Sequence, residues 1–153
     1  MMTGRYFEDL VVGLTIEHPV RRTVTETDNL LVSALTHNPQ PLHLDAEYAV
    51  GTEFGRIVVN GLFTFSLMVG ISVGETTLGT LVANLGYDQV RMPRPVFIGD
   101  TLRVRTTVSD TRPSASRPEA GLVVFSHETL NQRDEVVCTC TRTALVRRRS
   151  LAG

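Results

Sequence analysis

The sequence has no long apolar run, no excess of one charge and almost no cysteine. No stretch approaches the ~20 consecutive apolar residues that span a bilayer, so a membrane-spanning protein is not expected. A net charge of −1 provides no basic field to attract nucleic acid. The N-terminus, MMTGRYFEDL, lacks the basic-then-apolar pattern of a secretory signal. These absences favour a cytoplasmic protein with neither nucleic-acid nor membrane partners.

The two cysteines, Cys138 and Cys140, lie two residues apart in a predicted strand. Their side chains point to the same face, too far apart in an extended chain for easy bridging. Two thiols are also too few to hold a zinc ion. We therefore expect two buried or half-buried free thiols. The sequence also lacks a Gly-rich phosphate loop and a cluster of metal ligands, so no cofactor or metal is expected.

A length of 153 residues, 42% hydrophobic and 20% charged, fits one globular domain with a core of its own. The chain shows no internal repeat and no long linker. We predict a single domain over residues 1–153, of which 146–153 form a flexible basic tail.

The helical signals fall in the first half of the chain. Thr25–Asp28 (TETD) resembles a capping box that opens a helix at Thr27–Thr36. Prolines exclude regular helix from His37–Leu44, and Asp45–Val50 follows as a short helix with Asp as its N-cap. Gly61–Val73 is hydrophobic nearly all round, which is typical of a buried helix. The apolar face predicted for the first helix consists of Leu30, Leu31, Ala34 and Leu35.

The strand signals surround these helices. The predicted strands are Leu14–Thr25, Leu81–Arg91, Thr101–Ser109, Leu122–Asn131 and Glu135–Val146. Between the third and fourth, Ser109–Gly121 is polar with two prolines and is predicted to be a mobile loop. One strand, then helices, then four strands favour the α+β class: an antiparallel sheet wrapped around one long helix. Such a sheet leaves an edge to cover, and dimerisation commonly covers it.

Two segments contain the residues able to do chemistry, Leu35–Asp45 (LTHNPQPLHLD) and Val58–Leu62 (VVNGL). His43 can exchange protons near neutral pH. Gly61 begins a helix, so its backbone N–H can point at an oxyanion with help from the helix dipole. Asn38 cannot accept a proton but can hold a water molecule or a carbonyl group by hydrogen bonds.

The order and spacing of five segments resemble the MaoC-like, (R)-specific enoyl-CoA hydratase/dehydratase family. They are Phe7–Gly13, Pro41–His43, Tyr48–Ala49, Gly61 and Pro95–Asp100. The N-P-Q-P-L-H-L-D run at 38–45 is similar to the mesaconyl-CoA hydratase-like subset. The resemblance implies a hotdog domain acting as a homodimer on a CoA thioester, without a cofactor. The implied reaction is reversible hydration of a short enoyl-CoA, branched or dicarboxylic in this subset: the mesaconyl-, itaconyl- or 3-methylglutaconyl-CoA type.

The sequence departs from the family pattern at three positions. The catalytic carboxylate expected five residues before the histidine is Asn38, the motif asparagine is Gln40, and the histidine before the glycine is Asn60. The resemblance therefore implies a catalytic group of His43, Asn38 and Gly61. The implied substrate-binding residues are Gln40, Asn60, Arg56, Arg91 and Arg94, with the arginines suited to CoA phosphates or a substrate carboxylate.

Other interpretations stay open at this point. The departure at Asn38 favours a non-catalytic or acyl-binding partner subunit. A hotdog thioesterase would need a carboxylate on or near the long helix, and Gly61–Val73 has none. His43 could instead be a structural histidine after a proline turn, and Gly61 a tight-packing glycine. Asn38 and Gln40 could cap a loop. His37 is predicted to face solvent, and neither His18 nor His127 lies in a motif.

Overall fold

Five antiparallel strands form one sheet in the order β1-β3-β4-β5-β2. The computed structural model describes residues 4–149. The strands are Thr15–Thr23 (β1), Leu81–Arg91 (β2), Thr101–Pro113 (β3), Ala120–Leu130 (β4) and Val136–Arg147 (β5). Strand β1 lies at one edge, and its pairing with β3 shifts register between Glu17 and Arg21. Pro19 lies in that interval and has no N–H to donate, which an edge strand tolerates.

The helices all precede the four-stranded run in the sequence. They are a 3-10 helix at Phe7–Asp9, then Glu26–Leu35 (α1), Pro41–Leu44 (α2), Ala46–Val50 (α3) and Gly61–Thr76 (α4). Helix α4 packs against β1, β3, β4 and β5. The predicted α+β arrangement, an antiparallel sheet around one long helix, is confirmed.

Strict alternation along the strands builds the core, because neighbouring side chains point to opposite faces of a sheet. In β3, every second residue from Leu102 to Val108 is fully buried. The same alternation places Phe125 of β4 and Ala144 of β5 in the core. Thr106, His127 and Arg142 occupy equally buried positions in these strands, so the layer beneath α4 is partly polar.

The predicted apolar face of α1 is wrong. Leu30, Leu31 and Leu35 are exposed, whereas Asn29 and Ser33, one turn apart, are buried. The two polar residues face α2 and the start of α4, where hydrogen bonds satisfy them. These hydrogen bonds, and not the spacing of the leucines, determine which face of α1 is buried. A polar group is tolerated in the interior when it is hydrogen-bonded. The capping box at Thr25–Asp28 is confirmed by both of its hydrogen bonds.

Two predicted irregular segments are more regular than expected. Residues Pro41–Leu44 form a single helical turn, because proline at the first helical position needs no N–H partner. The predicted mobile loop at Ser109–Gly121 shortens to 114–119, since β3 and β4 pair as far as Pro113 with Gly121.

The predicted basic tail needs correction where the structure describes it. Val146 is buried within β5, and the strand continues to Arg147. Arg148 Nε lies 3.1 Å from Glu8 Oε1, and Arg149 Nη2 lies 2.8 Å from Asp9 Oδ2. These ion pairs attach residues 148–149 to the 3-10 helix. The rest of the predicted tail, 150–153, lies outside the described residues.

Cys138 and Cys140 are free and buried, as predicted. Burial raises the pKa of both thiols to about 11, which keeps them protonated at neutral pH. Between residues 4 and 149, no helix combines the length and apolar character needed to cross a membrane.

Candidate active site

His43, in the helical turn α2, lines a cavity, and one of its ring nitrogens is hydrogen-bonded to the backbone. His43 Nδ1 lies 2.7 Å from the backbone oxygen of Val58. A carbonyl oxygen can only accept, so Nδ1 carries the proton that forms this bond. In the neutral ring, Nε2 then has the free lone pair. The half-buried ring is thereby oriented as a base at Nε2.

A buried amide network fixes this histidine relative to α4. Asn29 donates from Nδ2 to the backbone oxygen of His43 at 2.8 Å and accepts from Asn60 N at 2.9 Å. Asn60 in turn donates from Nδ2 to Ser33 Oγ at 3.2 Å. Nothing in the sequence singled out Asn29 or Ser33. Their spacing of four on one helix would have placed them together, but the neighbouring leucines dominated the pattern.

The N-terminus of α4 is open at Gly61. Asn60 caps the helix by accepting from Leu62 N at 3.0 Å. Within the described part of the chain, nothing accepts a hydrogen bond from the Gly61 N–H. A Cβ at this position would overlap the Met92 thioether. Glycine here leaves room for the Met92 side chain, and its free N–H can serve a ligand.

His43 and Gly61 line the same cavity, which has a volume of about 400 Å³. Thr64 and Arg94 supply its other polar side chains. Its remaining walls are apolar and come from the α3–α4 connection, residues 92–96 and β5: Phe54, Val58, Val59, Met92, Pro93, Pro95, Val96 and Val137. An apolar cavity with a few convergent polar groups is the usual form of a small-molecule site.

The structure does not bring Asn38 to this cavity. Asn38 Oδ1 accepts from Gln40 N at 3.1 Å, which caps the proline turn. Asn38 lines a separate concavity together with His37, whose side chain is exposed as predicted. The predicted grouping of Asn38 with His43 and Gly61 is therefore not found in this chain.

Of the predicted substrate-binding residues, one lines the cavity and the others do not. Asn60 is buried, and its side chain is occupied by the capping and Ser33 bonds, so it positions α4. Gln40 is exposed, and its backbone oxygen accepts from His43 N at 3.0 Å. Arg94 lines the cavity with a half-exposed side chain. Arg56 lies 3.7 Å over the ring of Phe97, and Arg91 is exposed at the end of β2; neither lines the cavity.

A larger concavity, of about 750 Å³, lies beside Arg147 at the far end of β5. Its other arginines, Arg148 and Arg149, are paired with Glu8 and Asp9. It contains no histidine and no open helix N-terminus, so the smaller cavity is the better candidate for proton-transfer chemistry.

Helix α4 extends to Thr76 and therefore carries one carboxylate, Glu75. Glu75 Oε2 lies 2.6 Å from His18 Nδ1 and lines a groove on another face of α4, away from His43. The thioesterase interpretation gains no support from a carboxylate in this position.

Comparison with known proteins identifies relatives along nearly the whole chain. The profile of the MaoC-like domain family matches residues 9–128. The mesaconyl-CoA hydratase of Cereibacter sphaeroides is 38% identical over 150 residues, which cover 98% of this chain and 43% of that protein. The chain therefore spans less than half the length of this relative.

Solved structures show the same fold. A MaoC-like dehydratase from Rhodospirillum rubrum is 33% identical, with a TM-score of 0.86, over 97% of this chain and 100% of that one. A Mycobacterium tuberculosis protein with a double hotdog fold is 24% identical, with a TM-score of 0.85. This likeness covers 98% of the present chain and 46% of the other. The predicted hotdog fold is confirmed.

Proposed function

Because the chain belongs to the MaoC-like domain family, we propose that it is a hydro-lyase that adds water to the double bond of an enoyl-CoA thioester and catalyses the reverse dehydration. One observation carries the proposal: the base at His43 Nε2 and the free Gly61 N–H line one cavity. Hydration needs both kinds of group, a proton carrier and a donor to the thioester oxygen.

The reaction proceeds through an enolate. His43 Nε2 removes a proton from water as the water oxygen bonds to C3. The electron pair of the double bond moves towards the thioester oxygen, which the Gly61 N–H stabilises. The proton on Nε2 then passes to C2 as the enolate collapses. The net change is OH at C3 and H at C2, and the histidine returns to its starting form.

In this scheme His43 carries out both proton transfers, because no Asp or Glu of residues 4–149 lines the cavity. Asn38 cannot replace a carboxylate as a base, since an amide has no basic site at neutral pH. In the proposed scheme Asn38 and Gln40 shape the proline turn that holds His43, and they do not take part in proton transfer.

We propose that the acyl group is short and branched or dicarboxylic. The name of the Cereibacter sphaeroides relative, mesaconyl-CoA hydratase, supports this class. So does Arg94, which lines the cavity and whose partners among residues 4–149 are distant: Nη1 lies 3.4 Å from Val136 O and Nε lies 4.0 Å from Glu135 Oε1. A guanidinium can bind a carboxylate through two parallel hydrogen bonds. Arg56 and Arg91 stay candidates for the CoA phosphates.

We propose a homodimer as the working assembly. Strand β2 ends the sheet, and no strand within residues 4–149 pairs with its outer edge. The strand also exposes large apolar side chains at Leu85 and Val90. Pairing with a second copy would cover this edge and the adjacent apolar surface.

The substrate class is tested by following loss of the conjugated thioester absorbance for mesaconyl-CoA and crotonyl-CoA. We expect kcat/KM to be higher for mesaconyl-CoA. Arg94→Met should lower kcat/KM for mesaconyl-CoA ~10–100-fold, the equivalent of one charged hydrogen bond, with a smaller effect on crotonyl-CoA. Arg117→Met, at an exposed arginine of the 114–119 loop that does not line the cavity, is the matched control and should leave both values unchanged.

A preference for crotonyl-CoA in the unchanged enzyme would contradict the dicarboxylic class while leaving hydration intact. Equal effects of Arg94→Met on both esters would remove Arg94 from carboxylate recognition. A chain inactive on every ester would favour the alternative, an acyl-binding subunit without activity of its own.

A further inference from the structure

Thr64 is a cavity-lining residue whose hydroxyl has no assigned role. It lies three residues after Gly61 on α4, and only 2% of its surface is exposed. Among residues 4–149, its Oγ1 has no hydrogen-bond partner. Thr76 of the same helix shows the ordinary alternative, because its hydroxyl bonds back to Ser72 O at 2.6 Å. The Thr64 hydroxyl forms no such bond.

An unsatisfied buried hydroxyl is unfavourable. Leaving a buried donor or acceptor without a partner costs ~1–3 kcal/mol, whereas a valine of the same shape costs nothing of this kind. Threonine at the cavity wall is therefore a poor choice for stability alone. A ligand in the cavity that offers an acceptor would remove the cost.

Helix geometry places the Thr64 side chain on the same face of α4 as Gly61. Side chains on an α-helix tilt towards its N-terminus, so a residue covers the turn that precedes it. For Thr64 that turn begins at Gly61, which has no side chain of its own. The two donors therefore lie on one face of the first turn of α4. His43, in α2, lines the same cavity.

We propose that Thr64 is a second oxyanion donor: its hydroxyl hydrogen-bonds to the thioester oxygen beside the Gly61 N–H. This assignment rests on the proposed hydration. Two donors on one oxygen stabilise the enolate more than the ground-state carbonyl, because negative charge collects on that oxygen in the transition state. The hydroxyl partner that is missing in the free protein is the substrate.

The test compares Thr64→Val and Thr64→Ser with Thr129→Val. Thr129 is the matched control, a fully buried threonine in β4 whose hydroxyl also has no partner among the described residues and which does not line the cavity. Thr64→Val should lower kcat ~10²–10³-fold, the usual effect of removing one oxyanion donor, with unchanged or higher Tm. Thr64→Ser should keep most of the activity, and Thr129→Val all of it.

A second measurement does not depend on turnover. Infrared difference spectra of bound butyryl-CoA, labelled with ¹³C at the thioester carbonyl, report hydrogen bonding to that oxygen. We expect the carbonyl band at lower frequency in the unchanged protein and in Thr64→Ser than in Thr64→Val. If valine prevents folding, Thr64→Ala replaces it in both measurements.

Normal turnover and an unshifted carbonyl band in Thr64→Val would overturn the assignment and leave the proposed hydration standing. A protein that binds butyryl-CoA but hydrates no ester would defeat the proposed hydration, and the band would still decide whether Thr64 contacts the thioester. A protein that does neither would defeat both.

Discussion

At the residue scale, the least expected feature is a chain of polar side chains that crosses the core beneath α4. His18 Nδ1 lies 2.6 Å from Glu75 Oε2, and His18 Nε2 lies 2.8 Å from Thr106 Oγ1. The same hydroxyl lies 2.8 Å from His127 Nδ1. Arg142, equally buried, bonds to α4 at Thr76 Oγ1.

The hydrogen bonds among these polar side chains could not be predicted from the sequence. The side chains come from different strands and from α4, and each lies beside other polar residues in its own segment, so nothing local distinguishes it. Only strand pairing, such as Thr106 opposite His127, places them in contact. By contrast, His43 and Gly61 were predictable because their local motifs predict a turn and a helix start. Both residues line one cavity, and their catalytic roles stay predictions.

His127 should make stability depend on pH. Burial, followed by the charges of Arg142 and His18, lowers the pKa of His127 from 6.5 to about 3. Between these values the unfolded chain binds a proton that the folded chain does not. The free energy of unfolding should therefore rise from pH 3 to 6.5, by up to ~1.4 kcal/mol per pH unit, and gain nothing further from this group above 6.5.

Urea denaturation between pH 4.5 and 7.5 measures this slope. Below pH 6.5, the free energy of unfolding should rise less steeply with pH in His127→Gln than in the unchanged protein, by up to ~1.4 kcal/mol per pH unit. His37→Gln, at an exposed histidine, is the control and should leave the slope unchanged. Parallel curves for His127→Gln and the unchanged protein would mean that His127 titrates alike in the folded and unfolded states.

At the scale of elements, short sequence patterns predicted features that depend on neighbouring residues alone, such as strands and helix caps. The β-rich stretch Leu81–Arg91 was predicted at the observed bounds of β2, and the caps at Thr25 and Asp45 were correct. The errors lie where another element sets the outcome. The buried face of α1 is polar because Asn29 and Ser33 bond to α2 and to Asn60, and no pattern within α1 encodes those partners.

Asn60 joins these elements, so its loss should be costly. Asn60→Ala removes the cap on Leu62 N and leaves Ser33 Oγ without its donor in a buried setting. We expect the free energy of unfolding to fall ~2–4 kcal/mol, the sum of a cap and an unsatisfied buried group. Thr25→Ala, which removes the exposed cap of α1, should cost only ~1 kcal/mol.

Chemical denaturation of the two variants gives the comparison directly. A loss in Asn60→Ala no larger than that in Thr25→Ala would show that the Asn29–Ser33–Asn60 network does not hold α1, α2 and α4 together.

At the scale of the whole molecule, the fold brings two distant segments of sequence to one cavity. The turn α2 supplies a histidine with a fixed tautomer, and the start of α4 supplies a free N–H. The hotdog arrangement positions both against residues 92–96, which close the cavity with Met92 and Arg94. The proposed hydration requires all three segments, and His43 is the group that transfers protons in it.

The most direct measurement is the hydration rate of His43→Ala beside that of His37→Ala, on mesaconyl-CoA, with folding checked by circular dichroism. His37 is the matched control, because it is an exposed histidine outside the cavity. The proposed mechanism predicts a fall in kcat of ~10²–10⁴-fold for His43→Ala, the range typical of an acid–base group, and no change for His37→Ala. A folded His43→Ala enzyme with near-normal turnover would contradict it.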